Sequence, residues 1–246
     1  MSGGSVDENQ RAAVDVDAAY RRLPTVGPHE PSLGSALITW VEPMSEHVVG
    51  YNRWYEDDHM ITGAMVMPWM FACRRFVAPR WLQHLRGPVG SRVAQPLEAG
   101  KYIGIYSISA GRLADHEQWT LGANCRLHAE GRGSYRGADH DPLEERRHVF
   151  TGFCDYLGAT YRDDGVPRDV HTLQQPYAGL VVELIDAVDG LVTVLHFLDV
   201  DPPDCRADHF AASADRLDAG GVGALASKAA FVPTKHGTDA YSDELF

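Results

Sequence analysis

The feature that most constrains this chain is the spacing of its short β-branched and aromatic runs against two long, polar, helix-forming segments. Ser35–Glu42 (SALITWVE), ended by Pro43, reads as a strand buried on both faces. Residues 45–66 follow with helical composition, Ser45 as N-cap and Glu46 in the first turn, until Pro68 closes the segment; a kink is expected near Gly63. Met70–Val77, set between Pro68 and Pro79, is a second strand, and Lys101–Ile108, after a Gly- and Pro-containing loop, is a third. Arg112–Glu130 reads as a helix, GRGSYRGADHDP as a loop, and His148–Tyr156 as a strand. The order through residue 160 is β-α-β-β-α-β.

That order predicts an α+β class protein with the ferredoxin-like split βαβ arrangement, an antiparallel sheet covered by helices on one face. Residues 1–33 are polar, carry Pro24, Pro28 and Pro31, and read as an N-terminal arm. The first unit then spans 34–165. A second, shortened unit spans 175–246, with strands at Gly179–Ile185, Leu191–Val200 and Ala224–Val232 and a helix over 202–217. The turn-like Asp186–Gly190 allows the first two of these strands to form a hairpin. The two units echo one another: Asp58-His59-Met60 answers Asp208-His209-Phe210, and Phe76-Val77-Ala78-Pro79 answers Phe231-Val232-Pro233. A duplicated unit with a shortened second half is the expectation.

Composition narrows the partners. With 34 acidic against 22 basic side chains the formal charge is −12, which repels phosphate backbones and anionic lipid, so no nucleic acid or membrane partner is expected. The longest apolar stretch, Ala64 to Cys73, contains Pro68 and falls far short of the roughly 20 residues needed to span a bilayer. The opening MSGGSVDENQ has neither the basic nor the apolar region of a secretory signal, which makes a cytoplasmic location the expectation. Cys73, Cys125, Cys154 and Cys205 form no CxxC pair and are expected as free, mostly buried thiols. His128, Glu130, His140 and His148 surround the Gly-rich loop but match no zinc spacing, so no metal site is assigned there. GxGxxG, Walker and GxSxG motifs are absent, which argues against a nucleotide cofactor and a serine nucleophile elbow.

Tyr51-Asn52-Arg53-Trp54-Tyr55-Glu56-Asp57-Asp58-His59-Met60, followed by Pro68 and then Arg74-Arg75-Phe76, resembles the helix and strand of the EthD-like members of the dimeric α+β barrel superfamily. The resemblance covers roughly residues 35–110. It implies two ferredoxin-like sheets, from two chains or from two halves of one chain, closed face to face into a barrel, and a homodimer as the expected assembly. It also implies a small-molecule enzyme acting on a hydrophobic cyclic compound. Such proteins include cofactor-free monooxygenases, aromatic polyketide cyclases, lactone isomerases and haem proteins, and the fold alone does not choose among them.

Within the motif, Asn52, Tyr55 and His59 project from nearby directions on a helix, with Tyr51, Trp54 and Asp58 on the adjoining stripe. His59, whose ordinary pKa lies near neutrality, is the expected proton-transfer group, with Asp58 or Tyr55 orienting it. The competing structural role is a histidine that ties the helix to the sheet. Asn52, Trp54, Arg75, Tyr102 and Tyr106 are expected to line the substrate site. Arg74 and Arg75 point to opposite faces of their strand, while Tyr102 and Tyr106 share a face with Gly104 between them. His196, among aliphatics on its strand, and His209, the counterpart of His59, complete the set. The expected chemistry needs no organic cofactor. The alternatives are a haem enzyme with His196 or His209 as axial ligand, and a non-catalytic small-molecule-binding or oligomerisation module.

Overall fold

The structure, a computed structural model, describes residues 32–67, 69–91, 93–159, 177–187, 190–198 and 225–233. The first four β-rich runs become β1 (Leu33–Pro43), β2 (Met70–Val77), β3 (Tyr102–Ser109) and β4 (Arg146–Asp155). They pair antiparallel in the order β4-β1-β3-β2, so that β1 lies between β3, with Leu37 opposite Tyr106, and β4, with Trp40 opposite Phe150. A mixed α+β protein with antiparallel sheets results, compatible with a ferredoxin-like arrangement.

The segment expected as one helix over 45–66 is built differently. A single 3-10 turn (Ser45–His47) leads into α1 (Val48–Trp54), which continues as two π-helical turns, Tyr55–His59 and Ile61–Met65. Ser45 does not cap it, because its Oγ turns to Glu46 Oε2 at 3.0 Å. The loop before β3 contains a short helix, α2 (Arg80–Gln83), and the helix expected over 112–130 is α3 (Leu113–Ala129). Tyr51, Trp54, Tyr55 and Ala64 pack on Leu37, Val41, Met70, Tyr106 and Ile108, and Leu113 of α3 joins them, so α1 and α3 share one face of the sheet.

The other face is covered by the second half of the chain. β5 (Gly179–Ala187) and β6 (Gly190–Leu198) form an antiparallel hairpin, and β7 (Leu225–Pro233) pairs with β5 and meets β2 at Phe76–Pro233 and Val77–Val232. One seven-stranded sheet results, in the order β4-β1-β3-β2-β7-β5-β6. Ile38, Trp40, Phe76, Ile103 and Ile105 pack against Leu180, Val182 and Leu184, with Phe150 and Cys154 of β4 and Leu195 and Phe197 of β6 against the same cluster. Full burial of each such side chain is worth about 1.5–3 kcal/mol, so this shared core binds the two halves together.

Residues 1–31 of the expected arm, the 202–217 helix and the Asp208-His209 pair lie outside the described residues. Three thiols depart from the expectation of burial, Cys125 exposed on α3 and Cys73 and Cys154 half-buried, all three free, while Cys205 lies outside the described residues. Among the described residues no helix is long and apolar enough to cross a membrane.

Candidate functional site

The π-helical turn over Tyr55–His59 decides where His59 goes. On a regular α-helix, residue 59 lies over residue 55, four positions back; the wider turn, closed by Met60 N–H donating to Tyr55 O, brings residues five apart into register. His59 accordingly stacks on Trp54, with ring centroids 4.3 Å apart and planes inclined by 22°, and meets Tyr55 only obliquely at 5.6 Å. Trp54 is itself fixed by its indole N–H, which donates to Arg132 O at 2.9 Å.

Beside this stack enters Arg146, the first residue of β4. Its guanidinium carbon lies 5.0 Å from the Trp54 ring and 5.5 Å from that of Tyr51, and its Nε donates to His148 Nε2 at 3.4 Å. Arg146 is buried and Glu145 fully so. Ser134 donates to Glu145 Oε1, while Glu145 Oε2 stands 4.0 Å from Arg146 Nη1. Buried polar atoms are nearly always hydrogen-bonded. Among the described residues six buried side-chain polar atoms are not, and three of them, His59 Nδ1, Arg146 Nη1 and Glu145 Oε2, belong to this cluster. Burial, reinforced by the Arg146 charge and offset in part by Asp58, pushes the His59 imidazole down to about 4. At neutral pH it is therefore uncharged and able to accept a proton.

Asp58 does not orient His59. Both of its oxygens receive Arg132, Nε at 3.0 Å from Oδ2 and Nη2 on Oδ1, and Thr62 Oγ1 donates to Oδ1 at 2.9 Å. The Arg132 hydrogen bonds hold its carboxyl below the usual carboxylate range. The pairing follows from geometry, since α3 ends just before Arg132 and delivers its side chain to the π-turn. Tyr55 does not orient His59 either: its hydroxyl pairs with that of Tyr106 and lies 3.3 Å from Thr39 Oγ1.

The remaining sequence-predicted residues of this half form a second polar cluster under the same helix. Arg75 Nη2 donates to Asn52 Oδ1 at 2.5 Å and Nη1 to Glu56 Oε1 at 3.1 Å, and Asn52 Nδ2 donates to the Tyr102 hydroxyl at 2.8 Å. The guanidinium lies 4.3 Å from the Tyr102 ring and 4.5 Å from that of Tyr55. Arg74 turns to the opposite face, over Phe76 and Tyr177. The space beside Gly104 is already filled, since a Cβ there would meet Thr39 Oγ1 at 2.9 Å and the Tyr55 hydroxyl at 3.2 Å. Burial raises the Tyr55 and Tyr106 phenols, and that of Tyr102 to about 12, so all three are neutral hydrogen-bonding groups.

His196 is elsewhere. It stands on β6 with its Nε2 3.1 Å from Oε2 of the fully buried Glu183 on β5. No hydrogen bond, ion pair or ring contact among the described residues joins it to the His59 cluster. Because Nε2 is held by a carboxylate, that nitrogen does not present itself as an axial haem ligand, and His209 lies outside the described residues. The described residues also hold no group of three His, Cys, Asp or Glu side chains placed to grip a metal ion.

Sequence reasoning missed Glu145 and Arg146. Their run, Glu144-Glu145-Arg146-Arg147-His148, looks like a solvated charged entry to a strand; only the Trp54–Tyr51 wall of α1 makes half of it an interior. The chain matches no protein-family model, no curated protein and no solved structure.

Proposed function

We propose that the protein is a small-molecule enzyme that moves a proton on a hydrophobic cyclic substrate without an organic cofactor, in the manner of a lyase, isomerase or cofactor-free oxygenase. In this reading the two halves are ferredoxin-like units of the dimeric α+β barrel type, the second shortened, closed on one another within one chain. The shared core between β1–β4 and β5–β6 supports that closure. The observation that carries the functional reading is that His59 and Arg146 pack on the same Trp54 ring and each buries a side-chain nitrogen that makes no hydrogen bond, His59 Nδ1 and Arg146 Nη1.

The chemistry follows from the charges. Neutral His59 takes a proton at Nδ1 from an acidic C–H or O–H of the substrate, leaving an enolate or phenolate and an imidazolium. Arg146 receives the oxyanion, a donor already in place where negative charge develops. In the free protein Arg146 opposes protonation of His59; an anion between them cancels that opposition, so the imidazole becomes basic only when the intermediate is there to stabilise it. Return of the proton to another atom of the ring gives isomerisation, and loss of a leaving group gives elimination. Asp58, occupied by Arg132, takes no part in the proton transfer.

The test is solvent deuterium uptake. Enolisable cyclic ketones, lactones and anthrones are incubated with the protein in D2O and followed by NMR. The wild type is expected to catalyse exchange on members of this set at least ~100-fold faster than His59→Ala, the lower end of what a positioned acid/base group contributes. Equal rates in the two proteins, or saturable binding with no exchange by the wild type, would replace this reading with that of a binding module.

A further inference from the structure

The two arginines at the head of β4 diverge as strand neighbours must: Arg146 enters the Trp54 cluster, while Arg147 lines a depression of about 280 Å3 at the end of the sheet, together with Glu42, Arg80, Glu98 and Lys101. None of the sequence-predicted site residues lines it.

Arg147 stands directly opposite Glu42 in the β1–β4 register, where oppositely charged neighbours ordinarily pair. They do not, because the Glu42 carboxylate is already engaged. Its Oε2 accepts from Gly100 N at 2.7 Å and Lys101 N at 2.9 Å, and its Oε1 pairs with Lys101 Nζ at 2.9 Å. Arg147 and Arg80 both line this depression and have no ion pair among the described residues, in a chain whose net charge is −12. The loop that carries Ala99 and Lys101, which line the depression too, is held firmly. Buried Arg86 donates to Leu97 O at 3.3 Å, to Ala99 O, and to Gly100 O at 2.5 Å, and the Trp40 indole donates to the same Gly100 O at 2.6 Å. Gly100 has φ 87°, and a Cβ there would lie 2.1 Å from Trp40 Nε1, so only glycine permits this approach. A buried arginine that holds a surface loop by its carbonyls pre-organises the depression.

We propose that this depression is a second ligand site, taking a small phosphate-bearing molecule whose phosphate sits between the Arg80 and Arg147 guanidinium groups. Planar guanidinium forks match phosphate oxygens, and two of them suit a dianion better than a single carboxylate. Glu98, on the rim, competes with the ligand for these cations. The site is independent of the proton-transfer chemistry at His59.

Inorganic phosphate is titrated into the 15N-labelled full-length protein at constant ionic strength, and the Gly100 and Lys101 amide resonances are followed. Saturable shifts are expected, weakened about tenfold or more by Arg80→Ala and by Arg147→Ala and strengthened several-fold by Glu98→Gln. Acetate at the same concentrations is expected to bind at least ~10-fold more weakly. Both arginines are exposed, so the variants should melt with the wild type; Arg147→Lys serves if the alanine does not. Shifts reproduced by chloride, affinity unchanged in Arg147→Ala, or acetate binding as tightly as phosphate would each overturn the proposal.

Discussion

Two polar clusters lie under the same stretch of helix, and they differ in one respect. Around Arg75 the charged and polar atoms answer one another: Asn52, Glu56 and Tyr102 accept or donate, and aromatic rings lie against the guanidinium. Around Arg146 they do so only in part: His59 Nδ1, Arg146 Nη1 and Glu145 Oε2 make no hydrogen bond, and the last two face one another at 4.0 Å. A satisfied buried network rigidifies a fold, whereas an unsatisfied one costs stability that something other than folding must account for. Both clusters contain an arginine against aromatic rings, so residue type alone does not separate structure from function here. The count of unmet hydrogen bonds does.

The largest expected effect falls on the unsatisfied cluster. His59→Ala and Arg146→Gln should each lower deuterium exchange by ~10²–10⁴-fold, as expected for loss of a positioned acid/base group or of an oxyanion donor. His59→Ala should lower the melting temperature less than a change at Arg75, because His59 Nδ1 makes no hydrogen bond, whereas Arg146→Gln also gives up the bond to His148 and the charge facing Glu145. Exchange kinetics and melting curves on the same samples check both halves of this statement. A variant inactive only because it is unfolded would erase the distinction between the clusters.

The satisfied cluster should respond in the opposite sense. Arg75→Ala takes the guanidinium away from Glu56 and the donor from Asn52, a loss of about 3–5 kcal/mol for breaking a buried pair. Urea denaturation measures it. If Arg75→Ala kept wild-type stability while exchange vanished, Arg75 would belong to the chemistry after all, as the sequence suggests.

A third effect is read with pH. His59 is lowered from 6.5 to about 4 in the folded protein, so the unfolded chain binds its proton first as the solution is acidified. Its contribution to stability is intact above pH 6.5 and is lost as pH falls from there through 4, by roughly 3 kcal/mol in all. His116 and His148, also lowered by burial, add to the decline in this range, whereas Asp58, lowered by Arg132, acts only nearer its own carboxylate range. Denaturant melts between pH 7.5 and 4.5 should show the loss, and His59→Gln should remove the largest single share of it. The Arg75 cluster provides the control, since Arg75→Met should shift stability at all these pH values alike.

How much of this was readable beforehand follows from what each feature depends on. The strands were legible because Pro43, Pro68 and Pro79 bracket β-branched and aromatic runs, and their pairing supplies the hydrogen bonds such runs require. The Arg75 face was legible because period-two alternation places Arg75, Tyr102 and Tyr106 on the helix side of their strands. The partner of His59 was not: a step of 100° per residue sets it over Tyr55, and only the π-turn moves it onto Trp54. Arg146 was hidden for another reason. Its burial comes from aromatic residues nearly a hundred positions earlier in the chain, and no local pattern records such a contact.

The smallest expected effect decides what Asp58 is. The sequence offers it, beside Tyr55, as a group that orients His59; the structure gives both of its oxygens to Arg132 and Thr62. Arg132 is half-exposed, and an ion pair near the surface contributes about 0–1 kcal/mol. Asp58→Asn should therefore cost no more than that in stability and leave deuterium exchange within about threefold of wild type, with Arg132→Gln behaving alike. If Asp58→Asn instead lost as much activity as His59→Ala while Arg132→Gln lost none, the carboxylate would be turning to the imidazole during the reaction, and the unmet hydrogen bond of His59 Nδ1 would mark a partner that arrives with the substrate. If both variants lost activity together, the Arg132 tie itself would be what holds the π-turn, and through it His59, in the geometry the chemistry requires.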